Sequence, residues 1–192
     1  MAETEGRHLQ FQWAMNFLMK DDFFARMPVE DHRRIIGEAI KFGAHLAEKA
    51  REELGTPSGA DSISQMLASL GCIIRIDEKS GLPGALSRYE DDMSAALFFV
   101  RRIRDAASAA TERGEWAAGW YELYELCIAR ELFHHMENTL SGKASHHVRF
   151  KDRFLGLFPV SRPVEAAREI ACLVFVQDFL ALPEVPLLMR DD

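Results

Sequence analysis

A short β-branched run, Cys72-Ile73-Ile74-Arg75-Ile76, interrupts a chain otherwise patterned for helices. Such a run suits a strand. Two more strand candidates follow, Leu86 to Tyr89 and Ala96 to Val100, with Glu90-Asp91-Asp92 between them and Gly81-Leu82-Pro83-Gly84 marking a turn ahead of them. On either side the pattern is helical. Asp31 to Glu53 carries an apolar stripe of Ile35, Ile36, Ala39, Ile40, Ala44, Leu46 and Ala47, closed by Leu54-Gly55-Thr56-Pro57-Ser58-Gly59. Residues 61–70 predict a short helix with Asp61 as its cap. Arg101 to Arg113, Trp116 to Asn138 and Val164 to Leu180 predict three further helices, whereas Leu140 to Pro163, with Gly142, Gly156, Pro159 and Pro163, predicts loop. Helices, a small sheet of about three strands, then helices again define an α+β chain, mostly helical, rather than a doubly wound one. Residues 1–57 form an N-terminal helical segment and 58–192 the main domain, within one compact unit. The aromatics Phe11, Trp13, Phe17, Phe23 and Phe24 suit either core packing of a first helix or a homodimer contact.

The 192 residues suffice for a core without covalent staples. A net charge of −7 and a pI near 5.5 argue against nucleic acid as a partner, since that footprint is basic. No apolar run reaches the roughly 18 residues of a membrane helix. Met1 to Gly6 lacks the basic and apolar regions of a signal peptide. Cys72, Cys127 and Cys172 show no C-x-x-C spacing and suit buried thiols better than disulfides or a cysteine zinc cluster. G-x-G-x-x-G, P-loop and G-x-S-x-G patterns are absent. The basic cluster Arg101-Arg102-x-Arg104 is a surface set suited to pairing with Glu90-Asp91-Asp92.

Glu131-x-x-His134, inside the helix predicted from Trp116, carries the chemistry. Positions 130 and 134 lie on one helical face. In an H-E-x-x-H helix both hold imidazoles sharing a zinc ion, and the glutamate beside the first is the general base. Here position 130 is Arg130, a permanent cation with no lone pair for a metal.

Cys127-Ile128-Ala129-Arg130-Glu131-Leu132-Phe133-His134-His135-Met136-Glu137 resembles the I-A-H-E-L-F-H-H-L-E helix of the ImmA/IrrE-like zincin family. Glu169-Ile170-Ala171-Cys172-Leu173-Val174-Phe175-Val176 resembles that family's E-x-x-A-N-x-F-A helix, and Leu180-Ala181-Leu182-Pro183 its proline-ended close. The resemblance covers roughly residues 45–186. It implies a zincin-like domain over 58–192, His134 as the second imidazole ligand, Glu169 as the carboxylate ligand and Glu131 as the base that polarises a zinc-bound water. Arg130 departs from the pattern at the first ligand position, and Leu173 stands where the family has asparagine.

A catalytic zinc takes three protein ligands, so His134 and Glu169 alone imply no zinc or zinc held weakly. Arg130 also repels a cation, by about 4 kcal/mol per unit charge at ~4 Å and an effective dielectric near 20. The expectation is that Arg130 pairs bidentately with Glu131 or Glu169 in place of the metal. His146 and His147, in the following segment, are the candidates to replace the missing ligand, and His135 points elsewhere. Glu165, one turn before Glu169, suits a solvated face.

Three functions are weighed. The first is a metallopeptidase-like protein of ImmA/IrrE type with a defective zinc site, non-catalytic, acting through binding or regulation. Family members cleave or contact repressors, and this chain shows no helix-turn-helix, so regulation would need a protein partner. The second is an active zinc metallopeptidase with an unorthodox ligand set, Glu131 still the base. The third is a ferritin-like carboxylate metal protein, for which the only other E-x-x-H match is Glu5-x-x-His8. The resemblance and the unpaired thiols imply a prokaryotic cytoplasm.

Overall fold

The computed structural model describes residues 2–79, 85–154 and 158–184. Its helices are α1 (Ala2–Met19), α2 (Val29–Leu54), α3 (Ala60–Ser69), α4 (Val100–Glu112), α5 (Trp120–Met136), α6 (Ala144–His147) and α7 (Ala166–Phe179). Between α3 and α4 lie β1 (Ile73–Asp77), β2 (Ser87–Glu90) and β3 (Ala95–Phe99); β4 (Arg149–Phe154) and β5 (Phe158–Pro163) precede α7. The α+β order with a small three-stranded sheet is as the sequence predicts. Among the described residues no helix is long and apolar enough to cross a membrane.

The amphipathic α2 buries Ile35, Ile36, Ala39, Gly43, Leu46, Ala47 and Ala50 along one stripe. That stripe packs on α7. At the closest approach, a Cβ on Gly43 would collide with the Ala171 carbonyl oxygen, so only glycine lets the backbones sit this near. Gly55, at φ +92°, stops the helix, its N–H donating to the Arg51 carbonyl. Trp13 and Phe17 of α1 meet edge to face at 6.2 Å and are buried in the same core as α2, α5 and α7. The N-terminal aromatics are therefore core, and the segment before residue 58 shares the core of the rest.

Helices α5 and α7 are buried on nearly every face, from Leu126 to Met136 and from Ile170 to Val176. A helix enclosed this way forces each of its polar side chains to find a partner.

The three-stranded sheet has the order β1-β3-β2, β1 parallel and β2 antiparallel to β3. Register sets Ile76 beside Phe98, and Phe98 beside Ser87. By alternation Ile74, Ile76, Ala96, Phe98, Ser87 and Tyr89 share the face that meets the helices, while Arg75, Asp77, Leu97, Arg88 and Glu90 share the other.

Some expectations need correction. The stretch Leu140 to Pro163 is not loop: it holds α6 and the β4–β5 hairpin. Phe150 and Asp152 are both buried, and the acid at an inward position disguises the strand's alternation. Two arginines make that acid tolerable, Arg26 donating at 2.9 Å and Arg162 at 2.5 Å. Asp61 does not cap α3; Gly59 precedes the helix and Asp61 lies exposed inside its first turn. Nor does the basic cluster meet the acidic trio. Arg101 faces Asp105 at 4.0 Å and Arg104 lies over the Trp120 ring at 4.5 Å, while Glu90 pairs with Arg75 and Asp91 with Lys143. The turn expected at 81–84 lies outside the described residues.

Candidate functional site

A polar cleft of about 190 Å³ opens where β2, α5 and α7 converge. Ser87, Arg88 and Tyr89 line it from β2, Arg130, Glu131 and His134 from α5, and Arg168 and Glu169 from α7. Helical spacing puts 130, 131 and 134 on adjoining faces of one turn, and α7 crosses close enough to bring Glu169 opposite. The four residues expected to share a site thus line one cleft.

The contacts among them differ in part from expectation. Arg130 Nη2 donates to Glu169 Oε2 at 3.4 Å, a single long contact rather than a bidentate pair. Arg130 forms no ion pair with Glu131 within 4 Å. Burial opposes the charge on the Arg130 guanidinium, but the field of Cys172, when ionised, and of Glu169, Glu131 and Cys127 outweighs it and raises its pKa. Glu131, 1% exposed, accepts instead from the Ser87 hydroxyl, Oγ to Oε1 2.5 Å. Its other oxygen, Oε2, has no hydrogen-bond partner among the described residues.

Below the cleft lies a second charge cluster. Glu137, wholly buried, accepts from the Ala144 N–H and from Arg168 Nε, both at 2.6 Å. Burial pushes its carboxyl upward, but the His134 imidazole, the Ala144 N–H and the Arg168 guanidinium together hold it below the ordinary glutamate range. His134 Nδ1 stands 3.7 Å from Glu137 Oε2, beyond hydrogen-bond reach, and is itself unpartnered. Arg168 also faces Asp91 at 4.0 Å, and Lys143 Nζ donates to Asp91 at 2.6 Å. Beside this cluster His135 is buried: Nε2–H donates to the Leu70 carbonyl at 3.2 Å, leaving Nδ1 to accept from the Tyr89 hydroxyl at 2.9 Å.

His146 and His147 do not line the cleft. His146 is exposed, and His147 donates to the Ser141 carbonyl at 2.9 Å with its ring 5.4 Å from Phe42. Glu165 is exposed, as expected. Ser87, Tyr89, Glu137 and Arg168 carry contacts that sequence reasoning did not assign. The available signal was Glu137, an acid three residues past His134 at the end of the mostly apolar stretch Leu126 to Met136.

The residues present do not fit a catalytic zinc. The first ligand position that the resemblance implies holds a guanidinium, and Glu169, the implied carboxylate ligand, accepts from it at 3.4 Å. Among the described residues no group of three or more His, Cys, Asp and Glu side chains is placed to hold a metal ion. The three cysteines are buried and form no disulfide. No family model, curated protein or solved structure matches the chain.

Proposed function

We propose that this chain is a zincin-like protein of ImmA/IrrE type in which Arg130 stands where a first zinc ligand would be, and that it works by binding, as a regulatory or adaptor domain, without hydrolysis. One observation carries this reading: Arg130 and Glu169, far apart in sequence, meet at 3.4 Å in the cleft that also holds Glu131 and His134. The resemblance names these positions as ligand, ligand, base and ligand, and the guanidinium–carboxylate contact replaces metal coordination with a charge pair. Glu131, the base position that the resemblance implies, accepts instead from the Ser87 hydroxyl. The α+β architecture lends no support to a ferritin-like site, which takes its ligands from a four-helix bundle.

Elemental analysis of the purified chain tests the reading. It should carry far less than one zinc per chain, and Arg130→His should raise the content toward one. Stoichiometric zinc in the unsubstituted chain, with hydrolysis of a peptide library, would instead establish the peptidase. A folded Arg130→His chain that stays metal-free would remove the zincin assignment of Glu169.

A further inference from the structure

We propose that β1 is the seam of a homodimer, in which the β1 strands of two copies pair antiparallel about a two-fold axis at Ile76 and join the two sheets into one of six strands. β1 is an edge strand: β3 pairs with one side, and among the described residues no strand pairs with the other. Edges are commonly guarded by short length, charged side chains, proline or a bulge; β1 has no proline or bulge, carries its two charges, Arg75 and Asp77, on the face away from the helices, and leaves Ile73 50% and Ile76 57% exposed.

The backbone limits how two copies can meet. The Ile73 N–H donates to the Ser94 carbonyl, so the peptide groups of 73, 75 and 77 face β3 and those of 74 and 76 face outward. In an antiparallel pair, residues presenting outward groups lie opposite one another, and side-chain charge then selects the register. Centring the axis on Arg75 sets that arginine against itself, and centring it on Asp77 sets two aspartates together. An axis at Ile74 puts Arg75 against Ile73 and leaves both charges without a partner in the other copy. An axis at Ile76 puts Arg75 against Asp77 of the second copy, twice, in the closer non-hydrogen-bonded positions.

It also brings the two Ile76 side chains together on the helix-facing side and allows the two copies to exchange backbone hydrogen bonds at Ile76. Arg75 is half-exposed, 3.5 Å from Glu90, and Asp77 Oδ1 accepts the Lys79 N–H at 2.9 Å; both side chains lie on the face away from the helices. The clefts at β2 fall on the outer edges of the joined sheet and stay open.

Sedimentation equilibrium of the full chain from about 1 µM to about 1 mM, the range of a weak dimer, should show a reversible monomer–dimer transition. Ile76→Lys, exposed in the monomer and so expected to keep its circular dichroism spectrum, should weaken it at least tenfold. Arg75→Asp and Asp77→Arg should each do the same. Mixed in equal amounts, the two single variants should associate as well as the original chain, because each then offers the other the opposite charge at both crossings. A chain that stays monomeric throughout, a dimer indifferent to Ile76→Lys, or mixed variants that associate no better than either alone would each overturn the proposal.

Discussion

The Ser87 hydroxyl donates to Glu131 Oε1 across 2.5 Å, pinning the edge strand β2 to the buried turn of α5 that carries the candidate site. Both residues are buried, and Glu131 Oε2 is already unpartnered. Ser87→Ala removes the one hydrogen bond to this carboxylate and should cost about 2 kcal/mol in urea unfolding. Adding Glu131→Met should recover part of that loss, because an apolar side chain has no desolvation cost to meet. A double variant weaker than Ser87→Ala would show that the carboxylate has another partner.

The Arg130–Glu169 contact should matter little to stability. It is one long hydrogen bond, with Glu169 40% exposed, so a double-mutant cycle with Arg130→Met and Glu169→Gln should give a coupling below about 1 kcal/mol. The coupling should shrink in 1 M salt. A value of several kcal/mol would mean the pair is a structural pillar of the fold.

Glu137 and Arg168 should behave in the opposite way. Glu137→Ala leaves a largely enclosed guanidinium without its carboxylate and should cost about 3–5 kcal/mol. The pH dependence has a definite sign. Because the folded Glu137 carboxyl lies below the ordinary value, its stabilising contribution is complete above about pH 4.3, the unfolded glutamate pKa. It is lost as pH falls from there through the folded value. Titrating unfolding free energy from pH 7 to 3 should therefore give a steeper acid decline for the original chain than for Glu137→Gln, and equal slopes would contradict the depressed carboxyl.

Two glycines of α2 should respond in opposite directions. Gly43→Ala drives a methyl into the Ala171 backbone and should destabilise by about 1–3 kcal/mol as the helices part. Gly37→Ala meets nothing within 4 Å and should stabilise by about 0.5–1 kcal/mol through helix propensity. Thermal melts of both variants check this.

Burial pushes the Cys72 thiol up to about 11 and the Cys172 thiol well above the ordinary range. Native protein at pH 8 should therefore leave both unmodified by iodoacetamide, and urea should expose them. The stability these protonated thiols contribute is complete below about pH 8.5, the unfolded value, and declines for Cys72 as pH rises from there to about 11. Rapid labelling of the folded chain at Cys72 would contradict its enclosure.

The stripe of α2 was legible because its hydrophobic pattern is local, and α4, α5 and α7 were legible as helical runs bounded by glycine and proline. The β-branched run 72–76 likewise marked β1 to within a residue. The β4–β5 hairpin was not legible, because Asp152 takes an inward position that Arg162 of the paired strand and Arg26 from far along the chain make possible. The α3 start differed because Gly59 at φ +115° lets the chain enter the helix one residue before Asp61.

By itself the sequence determined the α+β order, the helix bearing Glu131 and His134, and the fixed positive charge at Arg130. Those properties reside in side-chain chemistry and in spacings of a few residues. Only the tertiary structure decided the partners: that Arg130 meets Glu169 rather than Glu131, that Glu131 turns to Ser87, and that Glu137 holds Arg168. Each of these pairings joins residues thirty or more positions apart. Which acid a buried cation reaches depends on the crossing of α5, α7 and β2, and that crossing is set by packing across the whole core.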